Sequence, residues 1–226
     1  MSEGKPLLAL ACYYAVEPAV TRHLPFWNAS GCRVACYFSD MIPDAVSAQG
    51  DTALVGPAGH SGTHANVRIR SVFNRALADA LYHGAPYVII GEYDTVTFRP
   101  PPGCPPDGEL HAPCHQNTEP HRFKSALYPH PVWRLNIPTL KRFCDVANTS
   151  RVDTEDGFLD RWIGRVCEDA GIALVNDPLT YSRNTIDTAE YAEQARACLR
   201  AGGWAVHGVK TKEQLASVLF PQPHIP

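Results

Sequence analysis

Three absences narrow the function of this chain before any motif is read. It carries no basic run or stripe and its formal net charge is −3, whereas a protein held to nucleic acid through phosphates concentrates lysine and arginine. It has no apolar run of membrane-spanning length near its start: Leu7 to Cys12 is far too short, and Met1 to Pro6 lacks a signal-peptide layout. These two features predict a cytoplasmic protein with no nucleic-acid partner and no transmembrane segment. The third absence is of familiar catalytic signatures. No G-x-G-x-x-G follows the first expected strand, and neither G-x-S-x-G nor H-E-x-x-H occurs, which argues against a dinucleotide fold and the common serine and zinc hydrolases.

The eight cysteines are scattered rather than spaced as a disulfide framework. Cys12, Cys32, Cys36, Cys144, Cys167 and Cys198 fall in expected strands or helices, where a thiol acts as a small apolar side chain. His111, Cys114, His115 and His121 sit close together in a loop, with Cys104 ten residues before Cys114. A zinc site there is an alternative, although the spacing matches no standard finger.

What the chain does have is an alternation of strand and helix patterns. Strands are expected at Leu7 to Tyr13, Cys32 to Phe38 and Ala53 to Val55, and helices at Glu17 to Asn28 and Val67 to Tyr82. Val67, Val72, Phe73, Ala76, Leu77, Ala80 and Leu81 recur at helical spacing in the last of these. The order implies an α/β fold with a parallel sheet wrapped by helices and ligands at the strands' carboxyl ends.

The sharpest feature follows that helix. Val88, Ile89 and Ile90, preceded by Gly84-Ala85-Pro86, read as a strand buried on both faces. It ends in Glu92-Tyr93-Asp94, and on a strand Glu92 and Asp94 point to one side. Two hard oxygen ligands so placed suit Mg or Mn, which take further ligands from substrate phosphates. A pair of solvated carboxylates in a strand-end turn is the alternative.

Residues 99–131 break the alternation with Pro100-Pro101-Pro102-Gly103-Cys104-Pro105-Pro106, which can be neither helix nor central strand. They read as a loop, either a substrate-side flap or a surface excursion. A strand at Val132 to Leu135 and a helix at Pro138 to Ala147 follow. Phe158, Leu159, Trp162, Ile163 and Val166 form another helical stripe that stops at Gly171. Glu155 and Asp156 open it, where acidic groups also serve the helix dipole and cap. After a helix at Ala189 to Ala201, His207 ends a short apolar strand; Gly208 permits close backbone approach, and Lys210 offers a point charge for phosphate. A short helix to Leu219 follows.

Glu92-Tyr93-Asp94 at a strand end, Glu155-Asp156 at a helix start and a late His207-Gly208-Val209-Lys210 turn occur in an order that resembles the GT-A class of nucleotide-sugar glycosyltransferases. The likeness runs from Leu7 to Leu219. It implies a single Rossmann-like domain over 1–226 with a central, mostly parallel sheet flanked by helices. Residues 1–98 would be the nucleotide-binding half, 99–131 the proline-rich loop and 132–220 the acceptor and catalytic half. In that class the acidic motif, of which E-x-D is a variant, binds Mn or Mg bridging the donor diphosphate. The resemblance makes Asp94 and His207 metal ligands, with Glu92 either a donor contact or a metal neighbour. It makes Asp156, beside Glu155, the base. It places Tyr13, Tyr14 and Asp40 near the nucleoside, Arg68, Arg70 and Asn74 facing the donor, and Lys210 at the diphosphate. The implied activity is transfer of a sugar from a nucleoside-diphosphate sugar to the hydroxyl of a glycan, a lipid-linked molecule or a small molecule, with inversion. Trp133, Trp162 and the stretch His111 to His130 are expected on the acceptor side, Trp162 having the core as its other place.

A retaining transferase on the same centre is the alternative when Asp156 only caps its helix. A sugar-phosphate nucleotidyltransferase and a non-catalytic sugar-nucleotide binder are further alternatives. The first of these usually carries a glycine- and basic-rich loop after strand one, and Tyr13-Tyr14-Ala15-Val16-Glu17-Pro18 has neither feature.

Overall fold

The computed structural model describes residues 4–12, 17–38, 41–42, 44, 51–54, 63–116, 127–149 and 159–220. In chain order the elements are β1 (Leu7–Cys12), α1 (Glu17–Ala29), β2 (Arg33–Phe38), β3 (Asp51–Leu54), α2 (Thr63–His83), β4 (Tyr87–Glu92) and β5 (Thr95–Thr97). There follow β6 (Glu109–Ala112), β7 (Cys114–Gln116), β8 (Leu127–Pro129), β9 (Trp133–Asn136), α3 (Ile137–Thr149) and α4 (Leu159–Asp169). The last are β10 (Ala173–Asn176), β11 (Thr180–Ser182), α5 (Ala189–Arg200), β12 (Ala205–His207) and α6 (Lys212–Leu219).

Seven strands form a mixed central sheet in the order β10-β6-β9-β4-β1-β2-β3. Within it β9 runs antiparallel to both β4 and β6, while β1 pairs in parallel with β2 and β4. The expected α/β architecture with flanking helices is therefore present, with a single reversed strand where alternation alone implied none. The continuous apolar runs have a direct cause in β1, all six of whose residues are buried. Leu7, Ala9 and Ala11 face a core built with α2, α3 and α4, while Leu8, Leu10 and Cys12 face one built with Val20, Leu24 and Trp27 of α1. A strand covered on both faces has no place for alternating polar residues.

The described part of the segment 99–131 is not a loop throughout. Its prolines are irregular, but Glu109–Ala112 enters the central sheet as β6 between β9 and β10. Four residues containing a glutamate and a histidine carry too little pattern to be seen as a strand. Nor is the stretch before it a detached flap. Arg134 on β9 donates to the Gly103 carbonyl at 2.6 Å, Tyr87 to that of Pro102 at 2.9 Å and Asn136 to that of Pro105 at 3.3 Å, fastening the prolines to the sheet. Strands β10 and β11 likewise carry no signal of their own, β10 being a half-exposed edge. Trp133, expected toward the acceptor, is fully buried in the core with α2 and α3, and Trp162 packs in the same core, as its place on the helical stripe implied.

A second, three-stranded sheet, β11-β12-β5, is what positions the site. The chain leaves the central sheet after Glu92, turns at Tyr93-Asp94 and enters β5, which pairs antiparallel with β12 so that Thr95 lies opposite His207. Helix α1 anchors the crossing: Trp27 Nε1 donates to the Thr95 carbonyl at 2.6 Å and Thr97 Oγ1 to that of Phe26 at 2.9 Å. Val96 and Val206 pack beneath α5 and α6 in a third apolar cluster.

Phe73 on α2 stacks on Phe143 of α3 with ring centroids 4.4 Å apart and also packs beside Trp133. Its truncation to alanine is expected to cost about 3–5 kcal/mol. Urea unfolding should show this as a lower midpoint with little change of slope.

Candidate metal centre

Asp94 and His207 meet because of register. The Asp94 carbonyl accepts hydrogen bonds from the Gly208 and Val209 amides at 3.2 and 3.0 Å, which clamps the end of β12 onto the turn after β4. Gly208 has a φ of 98°, and a Cβ there would run into the Arg183 carbonyl. Glycine is therefore required at this close approach.

The side chains converge on one point. His207 Nε2 lies 3.1 Å from Asp94 Oδ1 and 3.5 Å from Glu92 Oε2, and the three residues can each turn a ligand atom to within 4.8 Å of the others. Glu92 and Asp94 thus share a side, as expected, although it is the turn rather than strand alternation that brings Asp94 there. Asp94 is 2 % exposed and His207 3 %. Neither Asp94 Oδ1 nor His207 Nε2 has a partner in hydrogen-bonding geometry, although both are buried. Leaving such atoms unmet costs about 1–3 kcal/mol each. A carboxylate oxygen and an imidazole nitrogen aimed at one another's vicinity are what a divalent cation accepts, so the donor set fits one.

Burial alone would push Asp94 up and His207 down, but their mutual attraction prevails: Asp94 is held below the usual carboxylate range and His207 is raised to about 10. Lys210 adds to the effect on Asp94, its Nζ lying 3.9 Å from Oδ2.

A line of polar contacts leads away on the other side. His207 Nδ1 lies 3.0 Å from Ser182 Oγ on β11, and that oxygen lies 3.4 Å from His130 Nδ1. His130 Nε2 in turn lies 3.5 Å from Asp160 Oδ2 in the first turn of α4. Burial, with the charges of His115, His207 and Arg183, pushes His130 down to about 3. Burial and then the Glu92 carboxylate hold Asp160 up at about 7, against the pull of His207. The Asp160–His130 contact is therefore not an ion pair.

Of the other expected site residues, Arg70 and Asn74 make contacts with α3. Tyr13, Tyr14, Asp40, Glu155 and Asp156, as well as the side chain of Arg68, lie outside the described residues. Asn74, expected to face the donor, exchanges hydrogen bonds of 2.9 and 3.0 Å with Asn148 on α3. Arg70 points the same way, its Nη1 3.5 Å from the Ala147 carbonyl. In the zinc alternative, His111 binds Glu109 at 2.7 Å, Cys114 the Ala112 carbonyl and Cys104 that of Pro86, and His121 lies outside the described residues. Ser182 and Asp160 are the participants that sequence reading missed. A lone serine in an unrecognised strand and an acid in a helix's first turn carry no signal of their proximity.

Comparison with models of known protein families finds none that matches this chain, and a search of curated proteins finds no match.

Because a cation displaces the proton that His207 carries at neutral pH, Mn binding is expected to release about one proton and to strengthen as pH rises from about 6 to about 8. Calorimetry in buffers of differing ionisation enthalpy measures both, and Asp94→Asn should weaken Mn by more than about a hundredfold. Gly208→Ala should lower stability by about 2 kcal/mol or more and weaken Mn with it, read by thermal unfolding and titration on one preparation.

Proposed function

We propose that the chain is a divalent-metal-dependent glycosyltransferase of the GT-A type, acting on a nucleoside-diphosphate sugar and an acceptor hydroxyl. The observation that carries this reading is the convergence of Glu92, Asp94 and His207 at the carboxyl end of β4, next to β1, where ligands of such sheets bind. Asp94 and His207 would hold Mn or Mg, with Glu92 beside them. Bound there, the cation would supply positive charge against that developing on the departing nucleoside diphosphate.

The chain's own groups divide the remaining work. Lys210, half exposed beside Asp94, reaches outward to the diphosphate as a second positive charge. Asp94 and His207, clamped by the Gly208 and Val209 amides, are oriented in advance and need no rearrangement on binding. Among the described residues, the carboxylate best placed to take the acceptor's proton is Asp160, close enough to feel both Glu92 and His207 and held near neutrality by burial. A base with that pKa is half ionised at working pH and recovers a proton-free form after each turnover. The acceptor oxygen would lose its proton to Asp160 while attacking the anomeric carbon opposite the leaving group, so the product is inverted. Asp156, four residues earlier in the chain, is the competing assignment.

Thermal unfolding with a panel of nucleoside diphosphates, with and without Mn, tests the reading. At least one nucleotide should stabilise the protein only when Mn is present, by about 2.7 kcal/mol at a hundredfold excess over Kd. A panel with no Mn-dependent shift overturns it. Asp160→Asn should keep that shift and lower turnover by about 10²–10⁴, whereas Asp156→Asn should leave most of the rate. A product of retained configuration would remove Asp160 as base.

A further inference from the structure

A cleft of about 270 Å³ opens beyond His130, lined among others by His115, Tyr128, Arg183, Asp187 and Tyr191. One of its lining residues, His130, belongs to the polar line described above. His130 touches both Ser182 and Asp160, and Arg183 follows Ser182 directly, its amide donating to the His207 carbonyl at 3.4 Å. A molecule in this cleft therefore meets His130, whose Nε2 lies 3.5 Å from Asp160 Oδ2.

The chemistry of the lining is specific. The rings of His115, Tyr128 and His130 stand together on β8 and its neighbours, with centroids 4.0 Å apart for the two histidines and 5.7 Å for Tyr128 and His130. Across from them the Arg183 guanidinium lies over the Tyr191 ring at 4.8 Å. Stacking fixes the plane of a guanidinium while leaving its edge donors available. Arg183 has no carboxylate partner among the described residues, and Asp187, also on the lining, forms no ion pair with it. The Arg183 charge and burial both hold the neighbouring histidines neutral, so the fork is the cationic feature of this wall. Half-buried, pre-oriented, in contact with the Tyr181 hydroxyl and without an ion pair among the described residues, the fork is suited to a carboxylate or a phosphate.

We propose that this cleft seats the acceptor and that Arg183 binds an anionic group, carboxylate or phosphate, carried by it. The proposal rests on the transferase reading for the role of the bound molecule. It deepens that reading by naming the acceptor's class: a hydroxylated molecule bearing a negative charge, its charge on Arg183 and its reacting hydroxyl toward Asp160.

Calorimetric titration of the full chain with glucuronate, glucose 6-phosphate and glucose tests it. At least one acid should bind at least about tenfold more tightly than glucose, and which acid binds identifies the anion. Arg183→Met should abolish that preference and Arg183→Lys should keep part of it, while Mn-dependent nucleotide binding persists in both. Equal affinity for glucose and the acids, no binding of either acid, or acid binding indifferent to Arg183→Met overturns the proposal. If Arg183→Met does not fold, raising KCl from about 20 to about 200 mM on the unaltered protein replaces it. Acid binding should weaken while glucose binding does not, and salt-insensitive acid binding overturns the proposal. Acid binding that survives without any Mn-dependent nucleotide binding removes the transferase reading and leaves the anion site; the converse removes the anion site alone.

Discussion

A charge taken out of water must find another charge, and in this protein that constraint falls on Asp94. Its carboxylate is almost wholly enclosed, and an enclosed carboxylate persists in ionised form only with positive groups at hand. His207 and Lys210 are those groups. Both come from the C-terminal strand and the turn after it, so the charge on Asp94 binds two distant parts of the chain. The small sheet, the Trp27 bond to Thr95 and the two amides on the Asp94 carbonyl all serve to hold that pairing in place. The pairing is nonetheless incomplete, since Oδ1 and Nε2 face one another without a hydrogen bond. That residual demand makes the cluster a candidate metal centre as well as a buried ion pair.

From this centre the polar groups run in a line: Lys210, Asp94, His207, Ser182, His130, Asp160. Positive charge stands at one end and a protonatable carboxyl at the other. The proposed transfer would use both, because the leaving group gains negative charge while the acceptor hydroxyl loses a proton elsewhere. The cleft is lined by His130, the neighbour of Asp160 in this line, and by Arg183.

Legibility in the sequence followed the degree to which a residue's role is local. Val88, Ile89 and Ile90 announce β4 because a strand buried on both faces can be nothing but apolar, and α2 is visible because its stripe repeats over many turns. Asp94 and His207 were readable as partners through the order of motifs. The strands β6 and β10 were not, because they are short, and their pairing with β9 and with each other supplies what their sequences do not. Trp133 reads as readily for an exposed binding ring as for a core one; only the packing of Phe73 against it decides. Asp160 was hidden for a different reason. An acid in a helix's first turn is explained by the helix itself, and its nearness to Glu92 and His130 exists only after α4 docks against β8.

Asp94 and His207 stand half the chain length apart, and β12 reaches β5 only after every intervening element has been threaded. Loop closure of that span is entropically costly, and contacts of such sequence separation slow folding. The centre is therefore lost whenever β12 detaches, even if the β1–β4 core stays intact. Its ability to hold a cation registers whether the whole topology is complete, and partly folded chains with an intact β1–β4 core would be chemically silent.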